Sequence, residues 1–211
     1  MINHRKPIDK LMDCQHVKRW NLVATTIENN VASHSFNVAV LAMAINNRMR
    51  NVGDTNEMEI CYHAIMHDVD EAETGDMPTP TKAALREAGV NPNALYPTQG
   101  KVQPPSAKVR QIIKLADLLE NFSFISEYGA GTRARAAAAE VRGRLDEAIA
   151  GASEDMADAA RWVLAYVQQR RSDEEGERSR FAEDNKRSDT AIPFLVSSVV
   201  DRVSRDSTGS A

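Results

Sequence analysis

Residues 62–82 read YHAIMHDVDEAETGDMPTPTK, with metal-binding side chains at the end of an apolar helical pattern. His67 and Asp68 are adjacent, Glu71 follows three residues later, and prolines 78 and 80 then interrupt regular structure. Burying imidazoles and carboxylates together costs free energy unless a positive charge holds them. A divalent metal ion is the simplest such charge, so this segment predicts a metal site.

Two further periodic segments place candidate ligands on inward faces. Helical periodicity from Asn30 to Met49 puts His34 on an apolar stripe, and the pattern from Ser106 to about Tyr128 puts Asp117 beside one. No β-hairpin or βαβ pattern is visible, which predicts an all-α helical bundle with a metal site in its core. Mixed nitrogen and oxygen ligands suit Mn²⁺, Co²⁺, Zn²⁺ or Fe²⁺ better than Ca²⁺. The candidate ligands are His34, His67, Asp68 and Asp117.

Each candidate also has a structural interpretation. His34 could be a core histidine with satisfied hydrogen bonds, and Asp117 could form a hydrogen bond between helices. An adjacent His-Asp pair is common by chance. His63 lies one turn before His67, but the zinc-peptidase pattern requires Glu where Ala64 stands, so we interpret His63 as structural.

Composition limits the class of protein. The 211 residues carry a net charge of -4, which gives no reason to expect a nucleic-acid polymer or a membrane surface as partner. The only cysteines, Cys14 and Cys61, favour a reducing, cytoplasmic compartment. The N-terminus lacks a signal-peptide core, and no apolar run reaches the roughly 18 residues of a membrane span.

The ends of the chain differ in character from its middle. Near the N-terminus, Ile8, Leu11 and Met12 predict one apolar side of a short helix, and Trp162 is expected to face inward from a helix over 154–169. After Arg170 the sequence has too few apolar residues for a core. We therefore predict one domain over 1–170 and a charged, flexible tail over 171–211, in which 192–203 is apolar enough to dock.

Three motifs resemble a known family. They are Arg19-Trp20-Asn21-Leu22, Glu28-Asn29-Asn30-Val31-Ala32-Ser33-His34-Ser35, and His67-Asp68-x-x-Glu71 continuing through Thr74-Gly75-Asp76-Met77-Pro78-Thr79-Pro80 to Lys82. Together they resemble the HD-domain phosphohydrolases, in the branch that holds the bacterial 5'-deoxynucleotidases and the phage dATP triphosphohydrolases. The match runs from about residue 8 to residue 135.

The resemblance implies a role for each matching residue. His34, His67, Asp68 and Asp117 would bind the metal, and Glu71 would be the catalytic acid. Of the substrate-binding residues, Arg19 and Lys82 would bind phosphate, Asp76 would lie near the sugar-phosphate end, and Trp20 would disfavour a 2'-hydroxyl unless it serves only core packing. Glu73 has no matching role and is expected to be solvated. The family also implies a homo-oligomer.

The resemblance implies hydrolysis of 2'-deoxynucleotides with Zn, Co or Mn, and with Mg accompanying a triphosphate. We favour dATP cleavage to deoxyadenosine and triphosphate, with dADP and dAMP as further substrates. The alternatives are a 5'-deoxynucleotidase acting on monophosphates and a non-catalytic nucleotide sensor; a signalling-nucleotide hydrolase matches the motifs less well. The β- and γ-phosphates of a triphosphate would need further cations to bind them. Most of the candidate cations are nevertheless expected to lie on solvated helix faces. These candidates are Lys114, Lys108, Arg110, Arg133 and Arg135.

Overall fold

The computed structural model describes residues 7–49, 56–92 and 104–188. No strand occurs in these ranges, where β-type pairing is limited to two isolated bridges, Lys18 with Asn30 and Thr25 with Gly129. The predicted all-α fold is confirmed. The helices are α1 (Pro7–Asp13), a 3-10 turn (Cys14–His16), α2 (Val31–Arg48), α3 (Glu57–Met66), α4 (Glu71–Thr74), α5 (Thr79–Glu87), α6 (Ala107–Tyr128), α7 (Gly131–Ala150) and α8 (Glu154–Ser188).

Helix α2 follows the predicted pattern closely. Its N-terminus is capped by Asn30, whose side-chain oxygen accepts a hydrogen bond from the backbone N–H of Ser33 at 2.9 Å. The predicted stripe is the buried face, which includes Val31, His34, Val38 and Ile45. His34 is therefore fixed inside the fold by the packing of its helix.

The segment between α3 and α5 contains little regular structure. Helix α3 ends at Met66, and α4 is a single turn followed by Gly75 as its C-cap, whose φ of 75° suits a residue without a Cβ. Helix α5 begins at Thr79, directly after Pro78, and Pro80 fits the first turn of this helix. The directions of the side chains of 67–78 are consequently set by a series of turns, and these side chains do not lie on one face of a helix.

Helix α6 lies at the centre of the packing, against α2, α3 and α7. Ser106 caps its N-terminus by accepting a hydrogen bond from Val109 N–H at 3.3 Å. Residues such as Ile112, Leu115 and Leu119 are almost completely buried, and each such side chain stabilises the fold by about 1.5–3 kcal/mol. The same burial fixes the polar residues of α6 in position.

The apolar side of α1 is exposed, and the prediction that Trp162 faces inward is wrong. Ile8 and Met12 of α1 are 65% and 62% exposed, whereas Lys10 between them is 2% exposed because its ammonium group meets two carboxylates. Trp162 is 45% exposed, and its ring lies beneath the guanidinium of Arg48 at 5.2 Å. In α1 the ion pairs of Lys10 keep that side chain buried. In α8 a cation–π contact with Arg48 holds the partly exposed ring of Trp162.

The chain divides into two compact units, Met1–Ala165 and Tyr166–Ala211. Helix α8 continues to Ser188, so it extends into the charged tail predicted over 171–211. The predicted docking segment, 192–203, lies outside the described residues, and the mobility of the tail stays a prediction. Among the described helices, none combines the length and apolar character required to cross a bilayer.

Candidate metal centre

The four predicted ligands come from three parts of the fold and meet at one point. His34 lies on α2, His67 and Asp68 follow the end of α3, and Asp117 lies on α6. His34 Nε2 is 3.2 Å from His67 Nε2, 3.6 Å from Asp68 Oδ2 and 3.4 Å from Asp117 Oδ1. Ligand atoms that share one ion at about 2.0–2.2 Å must lie roughly 3–4 Å apart. His34, His67 and Asp68 could hold a metal ion, with Asp117 beside them.

The His34 ring is oriented by a residue that the sequence analysis missed. Glu120 is 3% exposed, and its Oε2 lies 2.5 Å from His34 Nδ1. We assign the Nδ1 proton to this contact, which leaves the Nε2 lone pair directed at the cluster. Glu120 follows Asp117 by three residues on α6, and this spacing was the available signal because residues i and i+3 share a helix face.

The His67 ring is oriented by backbone instead. Its Nδ1 donates to the carbonyl oxygen of Ala64 at 2.6 Å, so its Nε2 also faces the cluster, 3.3 Å from Asp68 Oδ2. Both imidazoles thus present the same nitrogen to the same point. This is the arrangement that metal-binding histidines usually show, with the second nitrogen occupied by a fixed acceptor.

The electrostatics of the cluster favour positive charge. Burial lowers the pKa of His67, but the neighbouring Asp68 carboxylate outweighs it and raises that pKa to about 9. Burial raises the pKa of Asp68, but His67 and then Arg19 hold it well below its usual range. Burial likewise raises the pKa of Asp117, but the hydrogen bond and the charge of His34 hold it well below its usual range. A divalent cation would supply the same charge in place of the imidazole protons.

Glu71 lies beside this cluster and has different surroundings. It is 2% exposed, with Oε1 3.4 Å from Lys82 Nζ and Oε2 3.8 Å from Arg19 Nη1. Burial, followed by the negative charges of Asp68 and Asp76, raises its pKa to about 7, although Arg19 and Lys82 oppose the rise. A carboxyl group with a pKa near neutrality can both accept and donate a proton.

Arg19 is held by two contacts at the edge of the cluster. Its Nη1 donates to Asp68 Oδ2 at 3.0 Å, and its Nη2 donates to Asn121 Oδ1 at 2.9 Å. Asn121 in turn donates from Nδ2 to Asp117 Oδ1 at 2.7 Å. Sequence reasoning missed Asn121, which connects a predicted phosphate-binding residue to a predicted metal ligand and follows Asp117 by one helical turn.

A cavity of about 510 Å³ opens over these groups. All of the predicted substrate-binding residues line it, namely Arg19, Trp20, Asp76, Lys82 and Lys114. Of the other candidate cations, Arg133 also lines the cavity, whereas Lys108, Arg110 and Arg135 do not. Arg110 instead donates to the Pro105 carbonyl, and Arg135 donates to Thr132 Oγ1. Two further arginines that the sequence analysis missed, Arg86 and Arg144, complete a cationic wall.

Three residues singled out from the sequence, Trp20, Lys114 and His63, contact neighbouring side chains. Trp20 stacks on Phe124 with ring centroids 6.3 Å apart, and its φ of 60° is uncommon for a bulky residue. Lys114 Nζ is 3.2 Å from Asp117 Oδ2. The ring of His63 lies edge-on to the neighbouring ring of Tyr62. Strained backbone at Trp20 is of the kind that accumulates at functional sites.

Several known proteins are similar to this chain in sequence. A family model described as 5'-deoxynucleotidase YfbR-like matches residues 8–89. A dATP triphosphohydrolase of Salmonella phage PMBT28 is 37% identical over 131 residues, which cover 57% of this chain and 66% of that protein. A dATP triphosphohydrolase of cyanophage S-2L is 31% identical over 129 residues, which cover 56% of this chain and 69% of that protein. The chain thus spans about two thirds of the length of each phage relative.

A solved structure has the same fold. The cyanophage S-2L HD phosphohydrolase (DatZ), bound to dA and one catalytic Zn²⁺ ion, matches with a TM-score of 0.61 at 22% sequence identity. The match covers 76% of this chain and 96% of that chain. The resemblance predicted from the motifs is confirmed, and the chain belongs to the HD-domain phosphohydrolases, in the branch of the phage dATP triphosphohydrolases and the YfbR-like 5'-deoxynucleotidases.

Proposed function

We propose that this chain is a metal-dependent phosphohydrolase that cleaves dATP to deoxyadenosine and triphosphate, with dADP and dAMP as further substrates. One observation carries the proposal: four candidate ligands converge beneath a cavity whose wall is cationic, with a buried carboxyl group beside them. The relatives named dATP triphosphohydrolases support the choice of substrate.

The donor set fits a first-row divalent ion. His34 Nε2 and His67 Nε2 have their partner nitrogens engaged, and Asp68 and Asp117 carry low-pKa carboxylates towards the same point. These four residues would hold Zn²⁺, Co²⁺ or Mn²⁺. When bound, the ion would act as a Lewis acid on the phosphoryl group and lower the pKa of a water molecule.

Glu71 is suited to proton transfer rather than to metal binding. Its carboxyl group is buried, it pairs with Lys82 and Arg19, and its pKa of about 7 allows both protonation states near neutral pH. In the proposed reaction Glu71 accepts a proton from the water that attacks the α-phosphorus. It returns a proton to the 5'-oxygen of deoxyadenosine as the bond from that oxygen to phosphorus breaks.

The cations of the cavity would bind the phosphates. Arg19, held in orientation by Asp68 and Asn121, would bind the α-phosphate with Lys82. Lys114, Arg86, Arg133 and Arg144 extend the positive wall and would receive the β- and γ-phosphates, with Mg²⁺ accompanying them. A monophosphate would leave these outer cations unused, and this favours a triphosphate substrate.

Two side chains would contact the sugar. Trp20 is fixed against Phe124 at the cavity, where its ring would leave no room for a 2'-hydroxyl. Asp76 lines the same cavity and would accept hydrogen bonds near the sugar-phosphate end. Both assignments follow the family motif.

The direct test is product analysis. The purified chain is incubated with Zn²⁺, Co²⁺ or Mn²⁺ and with separate dNTPs, dNMPs and NTPs, and the products are separated by ion exchange. Triphosphate and deoxyadenosine released from dATP, with ATP a poor substrate, is the expected result. Activity confined to monophosphates would instead establish the 5'-deoxynucleotidase alternative, which the YfbR-like match favours. A metal-loaded chain that binds nucleotides but hydrolyses none would establish the sensor alternative.

A further inference from the structure

A buried lysine lies behind the candidate site and has no role in the proposed reaction. The Lys10 side chain of α1 is 2% exposed, and its Nζ lies 3.3 Å from Asp70 Oδ1 and 3.0 Å from Glu73 Oε1. The side chains of Asp70 and Glu73 are 8% and 19% exposed, while Glu73 taken as a whole residue is exposed. Lysine is rarely buried without a specific partner, and here it has two.

The two acids stand on either side of Glu71. Asp70 precedes it directly and Glu73 follows two residues later, both at the one-turn helix α4. Asp70 is the N-cap residue, but its side chain makes no capping hydrogen bond. A single helical turn is not stable by itself because nucleation fixes several dihedral angles for one hydrogen bond. The backbone that carries Glu71 therefore needs support from elsewhere in the fold.

The other cations near Glu71 are poorly suited to give that support during turnover. Lys82 and Arg19 pair with the carboxyl group itself, line the cavity, and would turn to phosphate when substrate binds. Lys10 is not among the residues that line this cavity, so substrate does not compete for it. Its contacts with Asp70 and Glu73 would persist in the substrate complex.

We propose that Lys10 is a positioning residue, which ties α1 to both sides of Glu71 and fixes the direction of that carboxyl group. The inference rests on the proposed function, in which Glu71 exchanges protons with the reactants. A displacement of about 1 Å at such a group can lower turnover by up to about 100-fold. Since Lys10 touches neither ligand nor substrate, its loss would change kcat and leave metal content and KM in place.

The experiment uses four variants of the full chain. Lys10→Met removes the ammonium group and keeps an unbranched stem, and Lys10→Arg keeps the charge. The triple variant Lys10→Met/Asp70→Asn/Glu73→Gln leaves no unpaired carboxylate, so it carries the test if Lys10→Met does not fold. Arg161→Met is the matched control because it removes one cation from the exposed Arg161–Asp158 pair of α8. Zinc content, kcat and KM for dATP are measured for each.

We expect Lys10→Met and the triple variant to bind zinc as the parent does, with KM for dATP within about twofold and kcat lowered at least about tenfold. Lys10→Arg should recover most of kcat, and Arg161→Met should match the parent. A triple variant with parental kcat would overturn the proposal. So would one that loses zinc in proportion to activity, or one that fails to fold, since either result would make the role of Lys10 purely structural.

A double-variant comparison and an independent readout separate this inference from the proposed function. If Lys10 acts through Glu71, then Glu71→Gln/Lys10→Met should turn over no more slowly than Glu71→Gln alone. Amide hydrogen exchange of 70–75 in the zinc-loaded protein should be faster in Lys10→Met than in the parent. Failure of the parent to hydrolyse any deoxynucleotide would overturn the proposed function, whereas unchanged exchange at 70–75 would overturn the role of Lys10 by itself.

Discussion

The cavity has a floor, formed by the four candidate metal ligands and Glu71, and an outer wall of cations. The floor and the wall are built in different ways. On the floor, His34 is held by Glu120 of another helix, His67 by the backbone carbonyl of Ala64, and Asp117 by Asn121 one turn along the same helix. The outer wall is formed by the cations Arg86, Lys114, Arg133 and Arg144, of which the first three are exposed. Rigid placement serves chemistry that needs fixed angles, whereas flexible cations can follow a phosphate chain. The difference suggests that the floor determines the reaction and the wall determines how many phosphates the substrate carries.

The largest effect should follow loss of a ligand from the floor. Asp68→Ala removes a carboxylate that contacts His67 and Arg19, so we expect metal and activity to be lost together. Turnover should fall by at least about 10³-fold, because the ion would supply several kcal/mol of transition-state stabilisation. Metal content by elemental analysis and dATP hydrolysis are the measurements, and Asp158→Ala is the control because the Asp158 side chain of α8 is 63% exposed. A variant that retained both would disprove the ligand assignment.

Glu71 should separate chemistry from metal binding on the same floor. Glu71→Gln keeps the size of the side chain and removes its ability to accept and return a proton. We expect zinc content to stay at the parental value and kcat to fall by about 10²–10⁴-fold. Glu147→Gln, an exposed glutamate of α7, is the matched control. Loss of zinc from Glu71→Gln would show instead that Glu71 is a metal ligand.

Glu120 tests whether the orientation of the floor matters. Glu120→Gln weakens the buried contact that orients His34 Nδ1, so the metal should bind about 10–100-fold more weakly. Zinc affinity measured by competition with a chelator reports this directly, and activity at saturating zinc should be largely recovered. An unchanged affinity would mean that packing of α2 alone orients the ring.

The floor could be predicted from the sequence, but the contacts that orient it could not. Helical periodicity placed His34 inside because its neighbours at helical spacing are apolar, and adjacency placed His67 and Asp68 together. Whether Glu120 meets His34 depends on how closely α2 and α6 approach, which one sequence does not contain. The proposed roles of Glu71, Lys82 and the other substrate-binding residues came from the family motif, because helical periodicity carries no information about them.

The burial of α1 shows a different limit of sequence reasoning. Apolar patterning pointed to Ile8 and Met12, but the buried residue is Lys10, which only its distant partners Asp70 and Glu73 explain. Contacts sixty residues apart are invisible to a local pattern. The helical conformation of 171–188 was missed because that segment has too few apolar residues to suggest regular structure.

The outer wall should distinguish triphosphate from monophosphate. Arg144→Met removes one cation of the wall, and we expect kcat/KM for dATP to fall by about tenfold, roughly 1.4 kcal/mol, while kcat/KM for dAMP stays within twofold. Arg135→Met is the matched control, since Arg135 is an exposed arginine of the same helix outside the cavity. Equal losses for both nucleotides would remove the distinction between floor and wall.

The smallest effect concerns the stability of the metal-free protein. The folded-state pKa of Glu71 is raised from 4.5 to about 7, mainly by burial and then by Asp68 and Asp76, so folding favours its protonated form. Stability is therefore lost as pH rises from the unfolded value through about 7, because the carboxyl group must then ionise inside the fold.

Glu71→Gln removes that loss. Compared with the parent, the variant should gain about 1–3 kcal/mol in free energy of unfolding between pH 4.5 and pH 8.5. Urea unfolding in the presence of a chelator measures the difference at each pH, and Glu147→Gln reports the effect of losing one exposed carboxylate. A gain at high pH, together with the loss of turnover, would mean that the catalytic floor is destabilised by the residue that its chemistry requires. A difference that did not change with pH would show that the ion pairs with Lys82 and Arg19 offset the burial of Glu71.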